Sequence, residues 1–207
     1  MFLYGASGHA QVIVDSLNAS GIAVEALVDD NPHIEKLCGI NVVHDSQGLT
    51  PFIVSIGQNA TRRKVVEKLT TQGASFGIAI HPSAIISSSV RIGEGTVIMG
   101  GAIINCASEI GRHCIINTGA SIDHECQIGD FSHISPHATL CGNVSIGEGT
   151  WIGAGSTIIQ GVHIGRWCVI GAGSVVTRDV PDGYLAVGNR CKLIKLINGD
   201  MLSATDA

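Results

Sequence analysis

From Ile80 to Val176 every sixth residue is aliphatic: Ile80, Ile86, Ile92, Ile98, Ile104, Ile110, Ile116, Ile122, Ile128, Ile134, Leu140, Ile146, Ile152, Ile158, Ile164, Ile170 and Val176. Two residues before each sits a small or β-branched side chain, as at Val90, Thr96, Ala102, Ser108, Cys114, Ala120 and Cys126. Residues two apart point to one face of a strand. Each hexapeptide therefore predicts a short strand with one small and one aliphatic side chain inward, followed by a turn. Glycines cluster at those turns, where the backbone approaches closely or needs positive φ. A coarser repeat lies on top: Ile-Gly begins at Ile92, Ile110, Ile128, Ile146 and Ile164. Three hexapeptides thus close one triangular coil of 18 residues, and coils stack at about 4.8 Å. The prediction is a parallel β-helix.

Residues 1–78 lack this period. MFLYGASGHAQVIVDSL predicts a strand, a glycine turn and a helix. AVEALVDDN predicts a second strand ending in Asp29-Asp30. PFIVSIGQN predicts a third, with Asn59 as N-cap of a helix over ATRRKVVEKLTTQG. Strands alternating with helices predict a small parallel βαβ sheet, whose ligands sit beyond the carboxyl ends of its strands. There the Gly5-Ala6-Ser7-Gly8-His9 turn, Asp29-Asp30 and Gly57 meet. Such a turn can present N–H groups to a phosphate, and the acids can reach a ribose or base edge.

Composition narrows the partners. The net charge is −5 and no long basic run exists, which argues against nucleic acid. No apolar run is long enough to span a membrane, and the N-terminus does not read as a signal peptide. Seven cysteines without a CxxC pair point to free thiols in a reducing cytoplasm. Cys114, Cys126 and Cys168 fall on small inward positions and are expected to be packing residues. Cys106 and Cys141 fall at or beside corners.

The hexapeptide pattern resembles the left-handed β-helix of the hexapeptide-repeat acyltransferases; the left hand is implied by that resemblance, not by the period. GASGH, a strand ending in DD, IGxN, and a solenoid carrying HEC and FSH together resemble the NeuD/PglD group of sugar acetyltransferases, closest to UDP-4-amino-sugar N-acetyltransferases. The likeness runs from Tyr4 to about Asn189. It implies a nucleotide-sugar-binding Rossmann-like domain (1–78), a left-handed β-helix acetyltransferase domain (79–189) and a tail (190–207). It also implies acetyl-CoA as co-substrate without a metal, a nucleotide-linked amino sugar as acceptor, and a homotrimer with its site between subunits. Ser7, Gly8, His9, Asp29, Asp30 and Gly57 would contact the nucleotide, and Asn117 and Asp123 the sugar. In the tail, Arg190 stands where the family's VGxPA segment has proline.

The repeat places His124 at a corner, two residues after Ile122. The same corner one coil later is Gly142. A histidine base one coil from a glycine N–H supplies a proton acceptor and an oxyanion donor, as acyl transfer to an amine requires. In the family the residue after the histidine, here Glu125, holds its tautomer; Asp123 is the adjacent alternative. His133 is expected to face outward on a flat side and, by resemblance, to touch the thioester region. Ala154 and Ala172, stacked on one corner, map to the rest of acetyl-CoA. His113, His137 and His163 read as surface residues. Three rivals remain open: a sialic acid or other sugar O-acetyltransferase, a γ-carbonic-anhydrase-like lyase with zinc held by histidines across a trimer interface, and a non-catalytic scaffold. A four-residue spacing of His133 and His137 unites side chains on an α-helix, not on a β-coil.

Overall fold

The computed structural model describes residues 1–197; the rest of the expected tail, 198–207, lies outside the described residues. Strand β1 (Phe2–Tyr4) leads into α1 (Gly8–Ala19), β2 (Ala26–Val28), β3 (Lys36–Leu37), β4 (Ile40–Val43), β5 (Phe52–Val54) and α2 (Asn59–Thr71). The sheet order is β3-β4-β2-β1-β5. β1, β2, β4 and β5 are parallel, and β3 turns back on β4 as a hairpin, an addition the sequence pattern did not reveal. Gln58, not Asn59, caps α2: its side chain accepts from Thr61 N–H at 2.9 Å. Asn59 is freed for another contact described below.

Two-residue strands follow every six residues, beginning with β6 (Ala79–Ile80), β7 (Ile85–Ile86) and β8 (Arg91–Ile92) and ending with β22 (Val175–Val176). From β6 to the strand Thr157–Ile158, each pairs in parallel with the strand 18 residues on, as Ile103↔Ser121 and Ile115↔His133. The solenoid therefore has three flat faces, begun by β6, β7 and β8, here the first, second and third. From Ile98 to Val176 the sixth-position side chains are buried, and the small partners Thr96, Ala102, Ser108, Cys114, Ala120 and Cys126 are fully enclosed. Cys168 is buried too, while Cys106 is exposed. β23 (Tyr184–Val187) continues the first face, and β24 (Lys192–Leu196) folds back on it antiparallel.

The outward rows differ between faces. On the first, Ala79, Val97, Ile115, His133 and Val169 are buried: α1 and the N-terminal sheet pack on Ala79, Val97 and Ile115, and Leu185 and Ile197 pack on Val169. On the third, Arg91, Glu109, Gln127 and His163 are exposed, with an Arg91–Glu109 ion pair. On the second, Ile85, Ile103, Ser121, Thr139, Thr157 and Val175 carry no charge and stay partly or wholly open.

One residue per turn has left-handed φ, every sixth position from Gly95 to Gly173. Seven are glycine; the others are Ala107, His113, Glu125, Phe131, His137, Asn143 and Trp167. A non-glycine residue there costs roughly 1–2 kcal/mol, so each such side chain invites a physical reason.

Candidate active site

Two groups of polar residues stand on opposite sides of the solenoid. The first occupies the corner between the second and third faces. There Asp123, His124 and Glu125 form the turn from β13 (Ser121–Ile122) to β14 (Gln127–Ile128). His124 Nδ1 lies 3.0 Å from Glu125 Oε2. Glu125 reaches the ring from a left-handed position, φ 59°. Asp123 instead accepts the His124 backbone N–H at 2.8 Å and Asn105 Nδ2 at 2.9 Å. These bonds, Asn105 foremost, hold its carboxyl below the usual range. Of the two acids, Glu125 orients the imidazole and Asp123 shapes the turn.

With Nδ1–H donated to Glu125, the lone pair is on Nε2. That nitrogen lies directly against Gly142: a β-carbon built there would be 2.5 Å from it. The Gly142 N–H makes no hydrogen bond among the described residues, whereas its carbonyl accepts from Gly161. An exposed imidazole and the buried, unpaired N–H of Gly142 thus adjoin at this corner. Cys114, by contrast, is fully buried and its thiol is pushed up to about 12 by that burial, so it offers no nucleophile.

The second group gathers where β1, β2 and β5 end. Ser7 caps α1 without using its side chain, and Ser7 and Gly8 are exposed. The first N–H groups of α1 therefore face an open space suited to an anion. Asp29 Oδ2 accepts Ala6 N–H at 2.7 Å and Oδ1 accepts Asn31 N–H at 2.9 Å; this carboxylate orders the glycine turn. Asp30 is more open, touched by Tyr4 OH at 2.8 Å and Lys68 at 3.4 Å.

Gly57 joins this group to the first face. Its carbonyl accepts from Arg62 at 3.1 Å and lies 3.3 Å from His133 Nδ1. His133 Nε2 meets Asn117 Nδ2 at 3.1 Å, and the ring stacks on Trp151 at 5.4 Å. His133 does point off a flat side, as expected, but the N-terminal domain covers it. Burial, then the charges of Arg62 and His9, push its pKa down to about 3. His9, 6.3 Å from it between ring centroids, is lowered to about 4 by burial and Arg62. His9 Nε2 is buried without a partner among the described residues.

Arg62 was not singled out by sequence. It is buried and donates to the carbonyls of Ile56, Gly57, His113, Phe131 and Ser132 and to Asn59 Oδ1. Asn59 adds a bond to Gly149 O at 2.9 Å. Together they lash α2 to the corner between the third and first faces. The available signal was spacing: Arg62 shares the buried stripe of Val66 and Leu69 on α2, where an arginine needs acceptors. The surface reading of His113 is corrected at the same corner. His113 is buried, stacked on Phe131 at 5.2 Å and edge-on to Phe76 at 4.6 Å. His137 and His163 are exposed.

The corner between the first and second faces carries Asn117, Ala154 and Ala172. Asn117 Oδ1 accepts Thr118 N–H at 2.8 Å, fixing its amide. Ala154 and Ala172 are exposed, and beside them Gly155 and Gly173 have open space where a side chain would stand. The predicted site residues therefore form one connected set (Ser7 to His9, Asp29, Asp30, Gly57, His133, Asn117) continuing into Ala154 and Ala172. His124, Glu125, Asp123 and Gly142 stand apart, across the prism. Among the described residues no three His, Cys, Asp or Glu side chains converge to hold a metal ion.

Comparison with known proteins agrees over nearly the whole chain. Residues 1–69 match the PglD N-terminal domain and residues 143–178 the bacterial transferase hexapeptide (six repeats). UDP-N-acetylbacillosamine N-acetyltransferase of Bacillus subtilis is 42% identical over 107 residues, 47% of this chain and 50% of that protein; the chain matches about half the length of that curated relative. PerB from Caulobacter crescentus, solved with CoA and GDP-perosamine, is 44% identical with a TM-score of 0.89, covering 94% of this chain and 96% of that one. The acetyltransferase domain of PglB from Neisseria gonorrhoeae, solved with acetyl coenzyme A, is 33% identical with a TM-score of 0.85, covering 93% and 98%.

Proposed function

The chain belongs to the NeuD/PglD-type hexapeptide-repeat sugar acetyltransferases, and from that premise we propose that it transfers the acetyl group of acetyl-CoA to the 4-amino group of a nucleotide-linked amino sugar. The observation that carries the chemistry is His124 Nε2 lying against Gly142, with Nδ1 held by Glu125. The amine attacks the thioester carbonyl while Nε2 takes its proton. Glu125 steadies the imidazolium that results. The Gly142 N–H receives the carbonyl oxygen as it becomes an oxyanion. Collapse breaks the C–S bond, and the departing CoA thiolate takes the proton back from His124. No acyl-enzyme is needed.

The acceptor's nucleotide is assigned to Ser7, Gly8, His9, Asp29, Asp30 and Gly57, with Asn117 and Asp123 reaching the sugar. Acetyl-CoA is assigned to the open lane of Ala154 and Ala172, with His133 behind the thioester end and Gly142 on its carbonyl. A sugar held above the first face cannot meet His124 of its own chain, which stands on the opposite corner. A second copy has to bring that corner. The uncharged, half-open second face is the surface suited to self-association, and cyclic closure of such a contact gives a homotrimer. A reducing cytoplasm suits the free cysteines and the thioester donor.

UDP is the proposed carrier. A GDP-linked acceptor is the second reading, because the Caulobacter relative was solved with GDP-perosamine. Thiol release from acetyl-CoA tests both, using UDP- and GDP-linked 4-amino sugars with hydroxyl-only sugars as controls. Turnover only with amino sugars is expected. Equal turnover with hydroxyl acceptors would replace the amine by an alcohol, and a fully active monomer in light scattering would overturn the shared site.

A further inference from the structure

Along the corner between the first and second faces the left-handed positions are Gly101, Gly119, His137, Gly155 and Gly173. His137 alone in that row carries a side chain, with φ 56°. At the corner between the second and third faces Glu125 accepts the same backbone conformation and holds His124, while Ala107 has only a methyl to place and Asn143 is a residue type that tolerates it. At the corner against α2, His113, Phe131 and Trp167 accept it and pack on Phe76 or face Arg63. His137 has no such reason inside the chain. It is exposed, and its ring makes no hydrogen bond, ion pair or ring contact among the described residues. The ring is nevertheless seated: it lies over Gly119, where a β-carbon would come within 2.5 Å of it. A strained residue with no internal partner is a candidate for contact with a ligand.

The surroundings say which ligand. Above His137 the corner is bare, since Gly155 and Gly173 have open space beside exposed Ala154 and Ala172. A long flexible arm can lie along this lane, and the lane stops at His137. The His137 ring rests on the coil below its own, and the His124 ring rests on the coil above. His137 stands 13 residues after His124 on an 18-residue coil, so the two rings lean toward each other's level along the solenoid. In a cyclic assembly whose axis runs parallel to the solenoid, rotation leaves height unchanged, so a neighbour's His137 would approach the coil that carries His124.

We propose that His137 binds the acyl donor, hydrogen-bonding the pantetheine arm at its thioester end and setting how far the acetyl group advances toward the neighbouring His124. This rests on acetyl-CoA being the donor. The test compares His137→Gly, which removes both ring and strain, with His137→Ala, which removes the ring alone. The expected result is a KM for acetyl-CoA raised about tenfold in both, with the sugar-nucleotide KM within twofold of wild type. Calorimetric binding of CoA should weaken by a similar factor. His137→Gly should also melt about 2–4 °C higher than His137→Ala, from release of the left-handed strain. Unchanged acetyl-CoA KM and CoA affinity in both variants would overturn the inference while leaving the acetyltransferase reading intact. A wild-type protein that neither binds CoA nor releases thiol would overturn both.

Discussion

Gly142→Ala separates the placement of the proposed base, His124, from every other feature of the corner. Gly142 does not have positive φ, so alanine suits its backbone. The new β-carbon would stand 2.5 Å from His124 Nε2 and 2.6 Å from Cε1, against 3.4–4 Å for ordinary contact. The ring must retreat by about 1 Å, straining its bond to Glu125. The backbone N–H stays, so the oxyanion donor survives. A misplacement of that size costs on the order of 10²-fold in rate. The His124 side chain is half exposed, at 52%, so it can move into solvent and stability should change by less than about 1 kcal/mol. Thiol release under saturating substrates measures kcat, and thermal melting checks the fold. A Gly142→Ala protein with kcat within threefold of wild type would show that the His124–Gly142 contact plays no part in transfer.

Loss of the proposed base itself, in His124→Ala, should lower kcat by about 10²–10⁴-fold; Glu125→Gln should cost about tenfold and Asp123→Asn less, and the reverse order would contradict the geometry of the turn. Arg62→Met leaves buried carbonyls without their donor and is expected to destabilise by about 3–5 kcal/mol, read as a fall in Tm; an unchanged Tm would mean that α2 does not depend on this anchor. Acid should loosen the same junction. His113 is lowered from 6.5 to about 4 by burial and by Arg62 and Arg112. The unfolded chain therefore binds more protons between those values, and stability is full above pH 6.5 and lost as pH falls toward 4. At 1.36 kcal/mol per unit this one group contributes about 3 kcal/mol of loss. Urea titrations at pH 7 and 4.5 should show a smaller difference in His113→Phe, and an identical difference would rule out His113 as a contributor.

The solenoid was legible because its period is carried by side chains with one environment. A sixth-position isoleucine is inside whatever surrounds the coil, and the 18-residue step then puts His124 beneath Gly142. The outward positions depend on what docks there, which no period records. His113, at a corner, is packed by Phe76 and Phe131, while His163, on the third face, meets solvent. A partial signal existed in the row Ala79, Val97, Ile115, His133, Trp151 and Val169, apolar or aromatic where Arg91, Glu109, Gln127, Ser145 and His163 are polar. The hairpin of β3 and β4 was missed because KLCGINVV holds too few alternating residues to stand out. Asn59 resembled a cap in composition, but its amide is spent on Gly149 across the domain junction.

The left-handed row ties these observations into one argument about where function sits on a repeating scaffold. A solenoid whose coils are nearly equivalent has no cleft of its own, so specialised chemistry has to be added at corners. There the backbone prefers glycine, and every side chain kept at that position carries a conformational cost. His113, Phe131 and Trp167 meet it by packing on or facing the α2 side, where the N-terminal loops proposed to hold the nucleotide lie over the first face. Glu125 meets it by fixing His124. These two corners face away from each other in one chain, and the third corner, with its bare glycines, lies on the first-face side. A reaction that needs all three corners therefore needs more than one chain. On the proposed function, the location of the strain, more than the histidine count, is what calls for a site between copies of the chain.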